Sequence, residues 1–173
     1  MNGEASLRYV VETVPPPTRA VAHVPYVNGV DGHTSGFEIA PDWRPASWWQ
    51  VKGSYSFLTF DLRTNPNSAD LNAVARYDGS SPRHQTRLQM RLTLPRGVEL
   101  DLAHRYVSAL PARQADAYQT ADLRLGWTPR RGIQLALNGN NLFDHNHVEF
   151  SHAPPPDVGI PRSVYASLTW TAR

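Results

Sequence analysis

The 173-residue sequence contains no cysteine, which excludes a disulfide framework and any thiolate-held metal or redox centre. It also lacks any run approaching the roughly 20 consecutive apolar residues of a membrane-spanning helix. Mean hydropathy is −0.46. That argues against a helical membrane protein but not against one crossing with strands, which are half polar. Charge of one sign is scarce as well: 17 Lys and Arg against 15 Asp and Glu leave a net +2, too balanced to point to nucleic acid. Met1-Asn2-Gly3-Glu4 is followed by no basic segment, apolar run or small-residue cleavage site, so it does not read as a signal peptide. Catalytic signatures are missing too. There is no G-x-S-x-G elbow and no phosphate-cradling P-loop, and Asp and Glu sit singly on alternating faces. No enzyme activity and no cofactor are expected. The length suits one structural unit.

What the sequence has is alternation of period two, the mark of strands with one apolar and one polar face. Leu88, Met90, Leu92 and Leu94 alternate with Arg87, Gln89, Arg91 and Thr93. After Pro95-Arg96-Gly97, Val98, Leu100 and Leu102 alternate with Glu99, Asp101 and Ala103. A three-residue loop ending in Gly predicts a type I turn plus one left-handed residue, and that register sets Arg91 across from Asp101. Ala121, Leu123, Leu125 and Trp127 form the next stripe, then Ile133, Leu135 and Leu137, and finally Val164, Ala166, Leu168 and Trp170. Upstream, Phe37, Ile39 and Trp43 oppose Glu38 and Asp42, and Trp49, Val51, Tyr55 and Phe57 oppose Gln50, Lys52, Ser54 and Ser56. A first strand is expected around Leu7, Tyr9 and Val11, ended by Pro15-Pro16-Pro17. About eight strands result.

Short connections at Pro45–Ser47, Pro95–Gly97 and Pro129–Arg131 alternate with long polar ones at Thr64–Pro82, Ala109–Ala117 and Asp144–Pro161. Short turns on one side and long loops on the other are expected of an antiparallel, up-and-down transmembrane β-barrel segment. Trp43, Trp48, Trp49, Trp127 and Trp170 all fall near the short-turn end, as aromatic residues do at a membrane interface. Trp48-Trp49 also admits a stacking platform for a ligand. The charges Arg87, Arg91, Glu99, Asp101, Arg105, Asp122 and Arg124 fall on the polar, lumen-facing side. There they either line a path or pair across strands to hold register. His145, His147, Glu149 and His152 form the one cluster with metal-ligand chemistry, but a loop fixes no ligand geometry, and no metal site is assigned.

The ordered series Asp122-Leu123-Arg124-Leu125-Gly126-Trp127, Asn141-Leu142-Phe143-Asp144, Arg162-Ser163-Val164-Tyr165 and Leu168-Thr169-Trp170 resembles the end of the TonB-dependent outer-membrane receptors. Asn28-Gly29, Gly36-Phe37-Glu38 and Gly53-Ser54-Tyr55-Ser56-Phe57-Leu58 resemble the same family several strands upstream. The resemblance implies a barrel in the Gram-negative outer membrane that takes up a scarce nutrient such as an iron chelate. Residues 1–173 would be its C-terminal portion, without plug domain or signal peptide and not transport-competent alone. The implied partners are outer-membrane lipid and the barrel-assembly machinery, with TonB and the plug domain only in the full-length parent, an unidentified small-molecule ligand and no nucleic acid. Relatives end on an aromatic residue, whereas here the last stripe reaches Ala172 and then Arg173. Two alternatives stand beside this reading: a small autonomous outer-membrane barrel with a structural or passive-pore role, and a soluble ligand-binding β-barrel with its apolar stripes inside.

Overall fold

The computed structural model describes residues 4–5, 8–10, 21–23, 26–66, 68, 71–149 and 159–171. At the start, β1 (Glu4–Ala5) pairs with β4 (Tyr26–Val27), and β2 (Arg8–Val10) pairs with β3 (Val21–His23). Both pairs keep one antiparallel register, Glu4 opposite Val27 and Val10 opposite Val21. Of the expected first strand, Arg8–Val10 is present, and it pairs here rather than in the large sheet. Leu7, Val11 and Pro15–Pro17 lie outside the described residues, as do His152, Ala172 and Arg173.

The body of the chain is one eight-stranded antiparallel sheet that runs in sequence order. It comprises β5 (Val30–Ile39), β6 (Asp42–Ala46), β7 (Trp49–Thr64), β8 (His84–Leu94), β9 (Val98–Val107), β10 (Tyr118–Arg130) and β11 (Ile133–Asn140). The two-residue strands β12 (Asn146–His147) and β13 (Ile160–Pro161) pair with each other, and β14 (Ser163–Trp170) completes the sheet against β11. β5 and β6 act as one interrupted strand, because Ile39 opposite Tyr55 and Asp42 opposite Lys52 continue a single register along β7. The expected up-and-down meander is therefore present. The sheet is open: β5, β6 and β14 each have one strand neighbour among the described residues, so two edges leave backbone donors and acceptors unpaired.

Of the three short turns, the one at Pro95 falls where expected, and the other two begin two residues beyond their prolines. Ser47 and Trp48 join β6 to β7, Pro95–Gly97 joins β8 to β9, and Arg131 and Gly132 join β10 to β11. The turn after β8 departs from expectation, since Arg96 (φ 64°) is left-handed along with Gly97 (φ 75°). Two bulges precede the other turns, one between Trp43 and Ala46 and one between Trp127 and Arg130. Each contains a proline, Pro45 or Pro129, a residue that cannot donate to a ladder and is tolerated where pairing is already broken.

The long connections hold more structure than their composition suggested. Between β7 and β8 lies a helix, α1 (Ala73–Asp78). Between β9 and β10 a 3-10 turn at Pro111–Arg113 follows Leu110, which bridges to Ala115. Ala73, Val107, Leu110 and Ala115 are the buried hydrophobic residues of the described part, so such core as exists sits at the long-loop end. The Ala112 N–H donates to the Gly79 carbonyl at 3.1 Å, tying these two loops together. The sheet proper has no apolar interior. Its large hydrophobic side chains are exposed, among them Leu125, Leu137, Leu168 and Trp170.

Candidate functional site

Pairing fixes which residues share a face. Directly opposite residues lie on the same side of a sheet, and Gln50–Arg91–Asp101–Arg124–Asn138–Tyr165 form one continuous row across six strands. The neighbouring rows place Arg87, Arg105, Glu99 and Asp122 on that side. All seven charges singled out in the sequence thus share one face. Asp101 is the hub. Arg91 Nε donates to its Oδ1 at 2.7 Å, and Arg124 Nη1 donates to its Oδ2 and to Glu99 Oε2, both at 3.0 Å. Glycine at position 126 lies directly across from Glu99. A Cβ there would stand 3.0 Å from the Arg124 guanidinium. The row floors a hollow of about 360 Å³, whose polar walls are Lys52, Gln89, Asp122 and Asn140.

Nearer the long loops, Arg87 and Arg105 stand directly opposite each other, an unfavourable pairing of like charges. The β11–β14 connection supplies the compensating anion: Glu149 reaches in to pair with Arg105, and Tyr118 donates to the same Glu149 oxygen at 3.1 Å. The Tyr118 hydroxyl also accepts from Arg105. His147 stacks on Tyr118 with ring centroids 4.2 Å apart. Its Nδ1 is 3.8 Å from Asp144 and its Nε2 is 3.6 Å from Glu149. Buried Asn141 anchors the start of this loop, its N–H donating to Asp122 Oδ1 and its side-chain amide to the Ile160 carbonyl, both at 2.9 Å. His145 is exposed where His147 is buried, so the His-x-His pair is not presented as one ligand set. No group of three His, Asp or Glu suited to a metal occurs among the described residues.

The opposite face is apolar. Trp49–Leu92–Leu100–Leu125–Leu137–Ala166 is one of its rows. Trp43, Trp127 and Trp170 share this side, and all five tryptophans gather at the short-turn rim. Trp43 and Trp48 each lie about 6 Å or less from Trp49, at 5.6 and 6.1 Å between ring centroids. Trp127 faces Val98, the first residue after a turn, and Trp170 faces Ile133, the first after another.

A second aromatic rim was not anticipated. Phe37, Tyr55, Phe57 and His84 interlock at the other end of the apolar band, with ring centroids 5.2 to 6.2 Å apart and the Tyr55 hydroxyl 2.9 Å from His84 Nδ1. Beyond Phe57, β7 turns inside out. Its register with β5 is unbroken, so Leu58, Phe60 and Leu62 fall on the charged side and Thr59, Asp61 and Arg63 on the apolar side. The parity change was legible in the sequence as Phe57-Leu58, two adjacent apolar residues where one stripe ends and another begins. From Trp49 to Phe57 the band runs roughly 26 Å along the strand, or about 20 Å in height at a tilt of ~40°. That approaches the ~25 Å apolar band of an outer-membrane barrel.

A two-faced open meander of this kind is a wall, and comparison with known proteins shows which wall. The sequence model of the family described as TonB-dependent receptor-like, β-barrel, matches residues 7–142. The chain belongs to that family. Barrels of this family lie in the Gram-negative outer membrane, which gives the chain its location. Solved structures agree on the fold. The chain is similar to one in the FpvAI–pyocin S2 complex, with a TM-score of 0.66 and 16% identity over 98% of this chain and 22% of that one. It is also similar to the ferric yersiniabactin uptake receptor FyuA from Yersinia pestis, with a TM-score of 0.62 and 17% identity over 84% of this chain and 24% of that one. The chain spans less than a quarter of the length of either. No curated protein sequence matches it.

Proposed function

We propose that this chain forms the C-terminal part of the barrel wall of an outer-membrane receptor that takes up a scarce nutrient such as an iron chelate. The apolar face meets lipid between the tryptophan rim and the Phe37–Tyr55–Phe57 rim. The charged face lines the interior, where the ladder centred on Asp101 holds the register of three strands in a wet environment. The long-loop end, with Glu149 clasped to Arg105, meets the ligand in the intact receptor. TonB and a plug domain act in that full-length parent, and lipid and the barrel-assembly machinery are partners of the wall itself. The chain alone is not transport-competent.

The observation that carries this reading is the separation of faces. Charges line the hollows, while large hydrophobic residues stand exposed on the other side. A soluble ligand-binding barrel needs the reverse. The absence of cysteine makes the test clean. Arg124→Cys and Leu125→Cys are adjacent residues on opposite faces. In reconstituted membranes a water-soluble maleimide is expected to label the first and spare the second. Equal labelling of both would refute the assignment of faces.

A further inference from the structure

The short-turn rim carries a charge imbalance that the barrel reading leaves unexplained. Residues 43–49, 94–98, 127–133 and 170–171 include Arg44, Arg96, Arg130 and Arg131 but no Asp or Glu. All four arginines are exposed. Arg44 has a neighbour of opposite charge, Asp42 at 3.8 Å, whereas Arg96, Arg130 and Arg131 have no ion pair among the described residues.

The fold sets the turns that carry these three side by side. The Pro95–Gly97 turn leans onto β10 so closely that a Cβ on Gly97 would meet the Thr128 carbonyl oxygen at 2.5 Å. The end of β14 is tied to the next turn by the Thr171 N–H, which donates to the Gly132 carbonyl at 2.9 Å. The bulge then selects a side. Trp127 pairs with Leu135 and Arg130 with Ile133, so β10 spends one extra residue between them. Without that residue Arg130 would share the charged face with Arg124. With it, Arg130 joins the row Arg130–Ile133–Trp170 on the apolar side, next along that face after Trp127. Re-aiming a side chain is a known use of bulges. A guanidinium with no ion pair among the described residues is thus turned outward at the depth of two indoles, where aromatic rings sit among lipid headgroups.

We propose that Arg96, Arg130 and Arg131, flanked by Trp127 and Trp170, form a seat for the phosphate of an anionic phospholipid in the leaflet on the short-turn side. The seat rests on the reading that the apolar face meets lipid. Guanidinium groups bind phosphate oxygens in a bidentate manner, and basic residues at a membrane surface attract anionic lipid through a field that salt screens.

The test uses the whole chain with Trp43, Trp48 and Trp49 changed to Phe, so that only Trp127 and Trp170 report. It is mixed with vesicles of phosphatidylcholine and phosphatidylglycerol in which one lipid or the other carries bromine on its chains. Brominated phosphatidylglycerol is expected to quench more strongly than brominated phosphatidylcholine at equal mole fraction. The preference should fall roughly fivefold for each arginine lost among Arg96→Gln, Arg130→Gln and Arg131→Gln at low salt. It should persist in Arg63→Gln, which removes the same charge at the other end, and glycerol phosphate in solution should not abolish it. Equal quenching by the two lipids would overturn the seat while leaving the lipid-facing assignment intact. Quenching by neither would overturn both. A preference surviving the triple variant, or abolished by glycerol phosphate, would overturn the seat by showing a diffuse field or a small-anion site.

Discussion

Placing an arginine at Met90 should be among the most damaging single changes to this chain in a membrane. Met90 lies on the apolar face between Val51 and Leu102, four residues from Leu94 at the turn. Four residues are ~13 Å of strand and about 10 Å of height at a tilt of ~40°, close to the middle of a ~25 Å band. An arginine there is expected to cost about 2–4 kcal/mol relative to wild type, a factor of roughly 30 to 700 in the insertion equilibrium at ~1.4 kcal/mol per tenfold. Leu94→Arg, at the rim, should cost only about 0–1 kcal/mol, because its guanidinium reaches the headgroups. Gln89→Arg, adjacent in sequence but on the charged face, should be mild. Reversible urea titration of the chain in thin lipid vesicles, followed by indole fluorescence, would rank the three. Equal penalties for Met90→Arg and Gln89→Arg, or a larger penalty at Leu94 than at Met90, would show that the assignment of faces or depth is wrong.

Three further outcomes are expected. A double-mutant cycle on Arg91 and Asp101 should give a coupling below about 1 kcal/mol that shrinks in high salt, since Arg91 is largely exposed; a coupling insensitive to salt would refute a wet interior. Gly97→Ala should destabilise the β8–β9 hairpin by roughly 1–3 kcal/mol, from positive φ and the approach to Thr128, while Arg96→Gly should gain up to about 1 kcal/mol, both read by urea titration. Unboiled gel electrophoresis of the refolded chain should show copies joined through their two open edges, whose backbone groups find partners in lipid only in another strand, and no compact, heat-modifiable monomer; a protease-resistant monomer of that kind would favour an autonomous barrel.

The strands were legible in the sequence because a sheet with water on one side and lipid on the other writes its period into every residue. Leu88–Leu94 and Leu100–Leu102 could not be read any other way, and the Arg91–Asp101 pairing followed once the turn was placed. Interruptions of that period were harder. The bulge at Pro129 changes the side on which Arg130 lies, and nothing in Thr128-Pro129-Arg130 states how many residues oppose Gln134. The α1 helix was missed because six residues are too few to show a helical period. Glu149 could be recognised as a polar loop residue, but its attachment to Arg105, 44 positions earlier, depends on the loop's path and leaves no local trace. His145 is exposed and His147 buried, a difference the sequence does not state for the same reason: spacing in a loop does not fix which way either ring turns.

The inside-out turn of β7 gives the wall a waterline. Sliding the sheet by two residues, ~7 Å of strand, toward the short-turn side would draw Thr59 and then Asp61 into hydrocarbon. Sliding it the other way would draw Trp127 and then Arg130 toward the hydrocarbon. Each displacement meets a polar group at the edge of the bilayer, so the wall sits in a vertical well with steep sides rather than floating at any height its leucines allow. A protein held this way makes the lipid adjust to it, and a thicker bilayer should pucker at β7 before the strand moves.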